Sequence, residues 1–98
     1  MTWVLMQKAS EAKWDDYEKV RAAMDAGDPP AGLICHAAGE QPDGRWQAVS
    51  IWESEDDFNA FLQDRVLPAV QRALGDDMAA AAPPPSESFE AKHVLSPT

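Results

Sequence analysis

The pattern of apolar and polar residues predicts six elements along the chain. Short apolar runs rich in β-branched and aromatic residues predict strands, and apolar residues spaced by three and four predict helices. Strands are predicted at residues 3–8, 31–38, 45–53 and 86–95, with one helix opening at Ser10 and another at Ser54. This order, β-α-β-β-α-β, is that of the ferredoxin-like motif, in which two helices cover one face of a four-stranded antiparallel sheet. We therefore predict one α+β domain over residues 1–98.

Capping and helix-breaking residues predict where the helices begin and end. Ser10 and Ser54 are suited to accept backbone N–H groups of a first helical turn. Gly27 is expected just after the end of the first helix. Pro68 cannot donate a helix hydrogen bond, so it should kink the second helix or start a short one that Gly75 closes.

Two connections carry strong composition signals. Residues 41–44 read Gln-Pro-Asp-Gly, which predicts a turn that joins the second and third strands into a hairpin. Residues 76–85 contain four alanines followed by three prolines, which predicts a long exposed connection ending in polyproline II. The role of its Ala/Pro-rich part, residues 79–85, stays open; one alternative is that it docks onto a partner subunit.

The strands are apolar on both faces. On the third strand Val49 and Ile51 point one way, whereas Trp46, Ser50 and Trp52 point the other. A sheet that is apolar on both faces is buried on both. We expect the helices to cover one face and a second copy of the chain to cover the other, which predicts a homodimer formed sheet to sheet. The pattern does not decide which face meets the helices.

Charge and composition narrow the function. Lys and Arg number 8 against 17 Asp and Glu, a formal net charge of −9. Such a surface repels phosphate backbones and anionic headgroups, so we expect neither nucleic-acid nor membrane binding. The apolar runs fall short of the ~20 residues of a membrane helix, and the N-terminus lacks the features of a secretory signal. The single cysteine, Cys35, permits no intrachain disulfide, and we expect a cytoplasmic protein.

Five residues are candidates for a small-molecule site. His36, inside an apolar strand, and Tyr17, on the apolar helix face, are candidate catalytic residues that would deprotonate or orient a phenol. Trp46 and Trp52, with Ser50 between them, could bind a flat aromatic ligand. The alternative for the two tryptophans is that they fill the core beneath the helices. For His36 and Tyr17 it is a satisfied polar group at the edge of the core.

His93, on the last predicted strand, is a further candidate that could meet the ligand opposite His36. The alternative is an exposed histidine at the sheet edge. Cys35 adjoins His36, but neighbours on a strand point to opposite faces, so the two cannot readily share a metal. No zinc, calcium or phosphate-loop motif is present, and we expect neither a metal nor a cofactor.

Residues 51–58, Ile-Trp-Glu-Ser-Glu-Asp-Asp-Phe, resemble the Trp-Glu-Ser element of the antibiotic biosynthesis monooxygenase-like group of dimeric α/β-barrel proteins. The resemblance implies a homodimer whose sheets face each other, with a pocket between helices and sheet in each subunit. The group includes cofactor-independent oxygenases of aromatic polyketides, haem-degrading enzymes and members without known activity. Gln7 and Trp52 match the haem-degrading branch, but residues 54–74 lack the histidine that this branch uses as haem ligand.

Two functions from different classes remain open, and with them whether the chain is an enzyme. The first is a small-molecule pocket like that of cofactor-independent monooxygenases, acting on an aromatic compound. The second is a non-catalytic, homodimeric ligand-binding or accessory domain, which the absence of an assembled catalytic motif favours. The identity of the ligand is open in both.

Overall fold

A computed structural model describes residues 2–24, 29–79 and 84–95 of the chain. The elements are β1 (Thr2–Lys13), α1 (Trp14–Ala23), β2 (Leu33–Glu40), β3 (Arg45–Trp52), α2 (Glu55–Phe61), a π-helical segment (Leu62–Val66), α3 (Leu67–Leu74), α4 (Asp76–Ala79) and β4 (Ser86–Ala91). The predicted α+β, ferredoxin-like order is confirmed, with the second helical region divided into shorter pieces.

The four strands form one antiparallel sheet in the order β2-β3-β1-β4. Trp3 pairs with Trp52 and Leu5 with Ser50, so these side chains share one face. The helices cover this face, because Phe58 of α2 packs against both tryptophans. The structure thereby settles which face of the sheet meets the helices.

The opposite face of the sheet, here the open face, carries exposed apolar side chains. Met6 pairs with Val49, and Phe89 pairs with Val4. Met6, Val49 and Phe89 are 38%, 39% and 50% exposed. A single chain therefore leaves uncovered the face that the sequence predicts a second copy to bury.

The start of the first helix differs from the prediction. Ser10 does not cap it, because β1 continues to Lys13, where it pairs with Arg45 beyond a bulge. The carbonyl of Ser10 accepts a hydrogen bond from Nη1 of Arg45 at 2.9 Å, which fixes that residue in the strand region. The helix begins at Trp14, and Asp16 accepts the backbone N–H of Lys13 at 3.0 Å. The predicted helix end at Gly27 lies outside the described residues.

The predicted signals around the second helix are confirmed. Ser54 accepts the backbone N–H of Asp57 at 3.2 Å and so caps α2. Pro68 lies in the first turn of α3, where its missing N–H is tolerated. The π-helical segment precedes it, and Leu67 donates its backbone N–H to the carbonyl of Leu62. Gly75 ends α3 with a φ of 97°, a conformation that favours glycine.

The last connection opens with a helical turn that the sequence did not predict, and the last strand is shorter than predicted. One helical turn, Asp76–Ala79, opens the connection, and residues 80–83 lie outside the described residues. The final strand ends at Ala91 rather than at residue 95, and the tail prediction for residues 96–98 lies outside the described part.

The turn at 41–44 forms as predicted, with Gly44 donating to the carbonyl of Gln41 at 2.9 Å. Within the described residues, no helix is both long and apolar enough to span a membrane.

Candidate functional site

Tyr17 and His36 meet at the edge of the sheet. His36 is in register with Ser50 on β3, so its side chain lies on the face that the helices cover. Tyr17 comes from α1, and its Oη lies 2.7 Å from Nε2 of His36. The sequence named both residues as candidates, and the fold brings them into direct hydrogen-bond contact.

The surroundings favour the neutral form of both groups. Burial raises the pKa of Tyr17; the positive charge of Arg21 opposes this shift, and the negative charge of Glu18 adds to it. Partial burial lowers the pKa of His36, although the ring stays open to solvent at the sheet edge. At neutral pH the phenol therefore donates its proton to Nε2, which places the imidazole proton on Nδ1 by inference. A neutral imidazole in this position can accept a proton.

Two indoles surround this pair. The ring of Trp14 stacks on Tyr17, with centroids 4.9 Å apart and planes 14° apart. Trp46 lies against the same phenol ring at 5.6 Å. We call Trp14, Tyr17, His36 and Trp46 the edge cluster. All but the histidine are half-buried, so the cluster combines aromatic surface, a phenol and a base within reach of solvent.

A second group of aromatic residues surrounds one indole that is closed to solvent. Trp52 is 2% exposed and packs against Phe58 and Phe61 at centroid distances of 5.7 and 5.5 Å. Trp3 packs against Phe58 from the neighbouring strand. The indole N–H of Trp52 donates to Oγ of the buried Ser50 at 2.9 Å. We call Trp3, Trp52, Phe58 and Phe61 the core cluster.

The two tryptophans that the sequence predicts to line one pocket on β3 belong to different clusters in the structure. Trp46 and Trp52 are six residues apart on one strand, roughly 20 Å at the usual rise per residue, so one flat ring cannot contact both. Trp46 belongs to the edge cluster, whereas Trp52 and Ser50 satisfy each other inside the core. For Trp52 this is the core alternative that the sequence left open.

His93 lies apart from His36. It lies two residues beyond the end of β4 and is exposed. Because β4 and β2 are the two edge strands of the sheet, the histidines are separated by three strand spacings, about 14 Å. The structure does not bring them together within one chain, and a contact between His93 and a ligand stays a prediction.

The structure contains a cleft of about 530 Å³ beside the helices that was not predicted from the sequence. Pro29 and Pro30 form one side of it, and Phe61, Arg65 and Arg72 contribute from the second helical region. Arg65 lies over the ring of Phe61 at 5.5 Å, and Arg72 donates to the carbonyl of Ala23 at 2.7 Å. The cleft shares no lining residue with the edge cluster. The spacing of the two arginines, seven residues apart, is the sequence signal that could have indicated this helix face.

The described residues do not suggest a metal centre. Within residues 2–24, 29–79 and 84–95, no three His, Cys, Asp or Glu side chains are grouped closely enough to hold an ion. Cys35 pairs with Ile51 on the open face, away from His36. The chemistry that this arrangement can perform is proton transfer next to an aromatic surface.

Solved structures show where this fold occurs. No protein-family model matches the sequence, and no curated protein matches it significantly. A structure provisionally named an antibiotic biosynthesis monooxygenase from Nitrosomonas europaea matches with TM-score 0.68 and 15% identity over 97% of this chain and 94% of its own. A protein of the same provisional name from Chloroflexus aurantiacus matches with TM-score 0.62 and 17% identity over 98% of both chains.

A third structure has a described activity. SnoaB, a cofactor-independent oxygenase from Streptomyces nogalater, matches with TM-score 0.54 and 19% identity over 96% of this chain and 94% of its own. At identities this low the TM-scores show a shared fold alone, and this fold is the one that the resemblance of residues 51–58 implies. The chain therefore has the fold of the antibiotic biosynthesis monooxygenase-like proteins.

Proposed function

We propose that the chain is a cofactor-independent oxygenase that acts on an electron-rich phenol at the edge cluster. The observation that carries the proposal is the 2.7 Å hydrogen bond between Oη of Tyr17 and Nε2 of His36. Oxygenation without a cofactor needs a base that converts a phenol into the electron-rich phenolate, and a neutral imidazole can serve. The fold shared with SnoaB, a cofactor-independent oxygenase, supports the same chemistry.

The pair would work as a short proton relay. The substrate hydroxyl donates to Oη of Tyr17, and Tyr17 passes its own proton to Nε2 of His36. The phenolate carbon para to the oxygen then bonds to O₂, and the O–O bond breaks as that carbon loses its hydrogen. One oxygen atom stays as the second carbonyl of a quinone and the other leaves as water. One phenol and one O₂ thus give one quinone and one water.

The indoles would hold the substrate. Trp46 and Trp14 flank Tyr17, so a flat substrate that reaches the phenol also meets an aromatic surface. Tyr17 is half-buried against these rings, whereas His36 stays exposed, so a substrate can approach the pair from the solvent side. Ser50 and Trp52 would act indirectly, because Trp52, whose N–H Ser50 satisfies, packs against Phe58 and Phe61 and so holds β3 under the helices.

A ligand-binding domain without turnover is the second candidate function. The observation that favours it is the cleft beside Arg72, which offers room and a cationic group at a distance from the proton relay. Within the described residues Arg72 forms a hydrogen bond to a carbonyl and no salt bridge, so it could pair with an anionic group of a ligand. This candidate predicts binding that the loss of His36 does not affect.

Oxygen consumption with a panel of phenols and naphthols tests the two candidates. We expect His36→Gln to lower kcat by about a hundredfold, the lower end of what a positioned base contributes. His93→Gln, which changes the only other histidine, should leave kcat in place and at most raise KM. As the pH is lowered, the wild-type kcat should stay constant through pH 6.5 and fall only below it. The reason is that the pKa of His36 is lowered, so the imidazole stays neutral to a lower pH.

Two results would decide against the oxygenase. One is the absence of oxygen uptake with every phenol that binds. The other is equal kcat in wild type and His36→Gln. Binding of the same phenols, measured by quenching of tryptophan fluorescence, would then leave the ligand-binding domain as the function.

We also propose that the chain forms a homodimer through the open face of its sheet. The exposed Met6, Val49 and Phe89 support it, because monomers rarely leave such an apolar face in water. In sedimentation velocity at micromolar concentration, the wild type should sediment as a dimer and Val49→Glu as a monomer. Ser88→Glu, a matched charge on the other face of β4, should remain a dimer. A monomeric wild type would contradict this assembly.

A further inference from the structure

The edge cluster contains more than a proton relay needs. Tyr17 has a proton acceptor 2.7 Å from its hydroxyl, and it also has an indole stacked on its ring at 4.9 Å and a second at 5.6 Å. Phenols and indoles are the side chains that lose single electrons most readily after thiols. A set of adjacent oxidisable rings with one base at its centre is the arrangement that one-electron chemistry requires.

We propose that Tyr17 is a redox-active residue: an oxidising equivalent that reaches the indole of Trp14 or Trp46 comes to rest on Tyr17 as a neutral phenoxyl radical, while the phenol proton passes to Nε2 of His36. This activity is separate from the oxygenase reaction and does not depend on it. It would let the protein remove radicals that form near its aromatic residues.

The hydrogen bond explains why the radical would stop at Tyr17. A phenol that loses an electron becomes a very strong acid, so its oxidation is easy only where the proton can leave in the same event. Nε2 of His36 is close enough to take that proton. The lowered pKa of His36 supports this, since the imidazole is then neutral and free to accept.

The stacking explains how the oxidising equivalent would arrive. Trp14 is the first residue of α1 and is half-buried, so one part of its indole meets solvent while another lies on Tyr17. Electron transfer between rings in van der Waals contact is fast. An indole radical formed at the surface would therefore be reduced by the phenol before it reacted further.

The electron and the proton both have a destination. With a peroxyl radical as oxidant, the electron passes from Trp14 to the peroxyl oxygen, which becomes a hydroperoxide anion. Tyr17 then reduces the Trp14 radical cation and transfers its proton to His36, leaving a phenoxyl radical and an imidazolium. The hydroperoxide anion takes a proton from water. The net change is one peroxyl radical reduced and one tyrosine oxidised.

The core cluster lacks this arrangement. The indole N–H of Trp52 donates to Oγ of Ser50, a hydroxyl that is too weak a base to hold a proton at neutral pH. No tyrosine is present there, because Tyr17 is the only one in the chain. The two clusters therefore provide an internal comparison for the proposal.

Flash oxidation by a photogenerated ruthenium(III) polypyridyl complex tests the proposal, with electron paramagnetic resonance as the readout. The wild type should give a tyrosyl signal, and tyrosine deuterated on its ring should change the hyperfine pattern of that signal. Because the chain has one tyrosine, the signal belongs to Tyr17 without any mutation. We expect His36→Gln to slow tyrosyl formation by about a hundredfold, the lower end of what a positioned proton acceptor contributes.

Two further comparisons keep the proposal falsifiable. Changing Trp14 and Trp46 together to Phe should reduce the tyrosyl yield, whereas Trp3→Phe in the core cluster should not. In the unaltered protein, tyrosyl formation should be slower in D₂O than in H₂O, because a proton moves with the electron. The absence of a tyrosyl signal from the folded wild type, equal rates in His36→Gln, or equal rates in the two solvents would overturn the proposal. All of these readouts are independent of oxygenase turnover.

Discussion

The two aromatic clusters use similar residues in opposite ways. Both take tryptophans from the same face of β3, and both pack them against rings from a helix. In the core cluster, the polar atom of Trp52 is satisfied inside the protein by Ser50. In the edge cluster, the polar atoms of Tyr17 and His36 satisfy each other where solvent and a ligand can reach them.

The difference lies in what covers each end of the strand. Phe58 and Phe61, which have no polar atoms, cover Trp52 and leave it closed to water. Tyr17 covers Trp46, and its hydroxyl needs a partner once it is partly buried. The residue that the helix places above each ring makes the difference: an indole is buried in the core at one end of β3, and at the other end it lies beside a hydrogen-bonded pair that is open to solvent.

The largest effect should come from removing the indole of Trp52. Trp52→Ala leaves a cavity among packed rings and should lower the free energy of unfolding by about 3–5 kcal/mol. Trp46→Ala, on the same face of the same strand, should cost only about 1–2 kcal/mol because the ring is half-exposed. Urea unfolding followed by circular dichroism measures both values. Equal losses of stability at the two positions would show that the indoles of Trp52 and Trp46 are equally buried, against the structure.

Much of this comparison follows from sequence, and the missing part is tertiary. Alternation along β3 places Trp46 and Trp52 on one face, and the cap at Ser54 fixes the start of α2; both signals are local and both are confirmed. Which indole is closed depends on where the helices cross the sheet, and no local pattern encodes that crossing. For the same reason the sequence named Tyr17 and His36 separately without showing that they touch.

Long-range contacts also explain the predictions that are wrong. Serine is a favoured helix-capping residue, which is why the sequence predicts a helix start at Ser10. The guanidinium of Arg45, 35 residues later, instead donates to the carbonyl of Ser10, and β1 continues to Lys13. The cleft near Arg72 was missed because its walls come from segments far apart in the chain. Local signals locate the elements, and contacts between distant residues decide their exact ends and the site.

A smaller effect should separate the buried hydroxyl of Ser50 from an exposed one. Leu5 on β1 is flanked by Ser50 on β3 and by Ser88 on β4. Ser50→Ala leaves the indole N–H of Trp52 buried without an acceptor and should cost about 1–3 kcal/mol. Ser88→Ala, at the exposed position, should change stability by no more than about 0.5 kcal/mol. A neutral Ser50→Ala would mean that water reaches Trp52 and that the core cluster is open.

The smallest effect should be a pH dependence of stability that the edge cluster contributes and the core cluster, which has no titratable side chain, does not. The pKa of His36 is lower in the folded chain than its ordinary value of 6.5, so the folded state binds fewer protons than the unfolded state in this range. Stability should therefore be fully present above pH 6.5 and decrease as the pH falls toward the lowered pKa. Tyr17 should act at the other end, because its raised pKa favours the protonated phenol. Stability that depends on it is present below pH 10 and is lost as the pH rises further.

Free energies of unfolding measured from about pH 5 to 8 will test the histidine part. The slope should be smaller in His36→Gln than in the wild type, and the effect should be slight because solvent screens an exposed ring. Ser50→Ala, which alters only the core cluster, should lower stability equally at every pH and leave the slope unchanged. If His36→Gln kept the wild-type slope, the imidazole would titrate alike in the folded and unfolded chains. Folding would then not lower the pKa of His36, and the imidazole would not be kept neutral in the edge cluster.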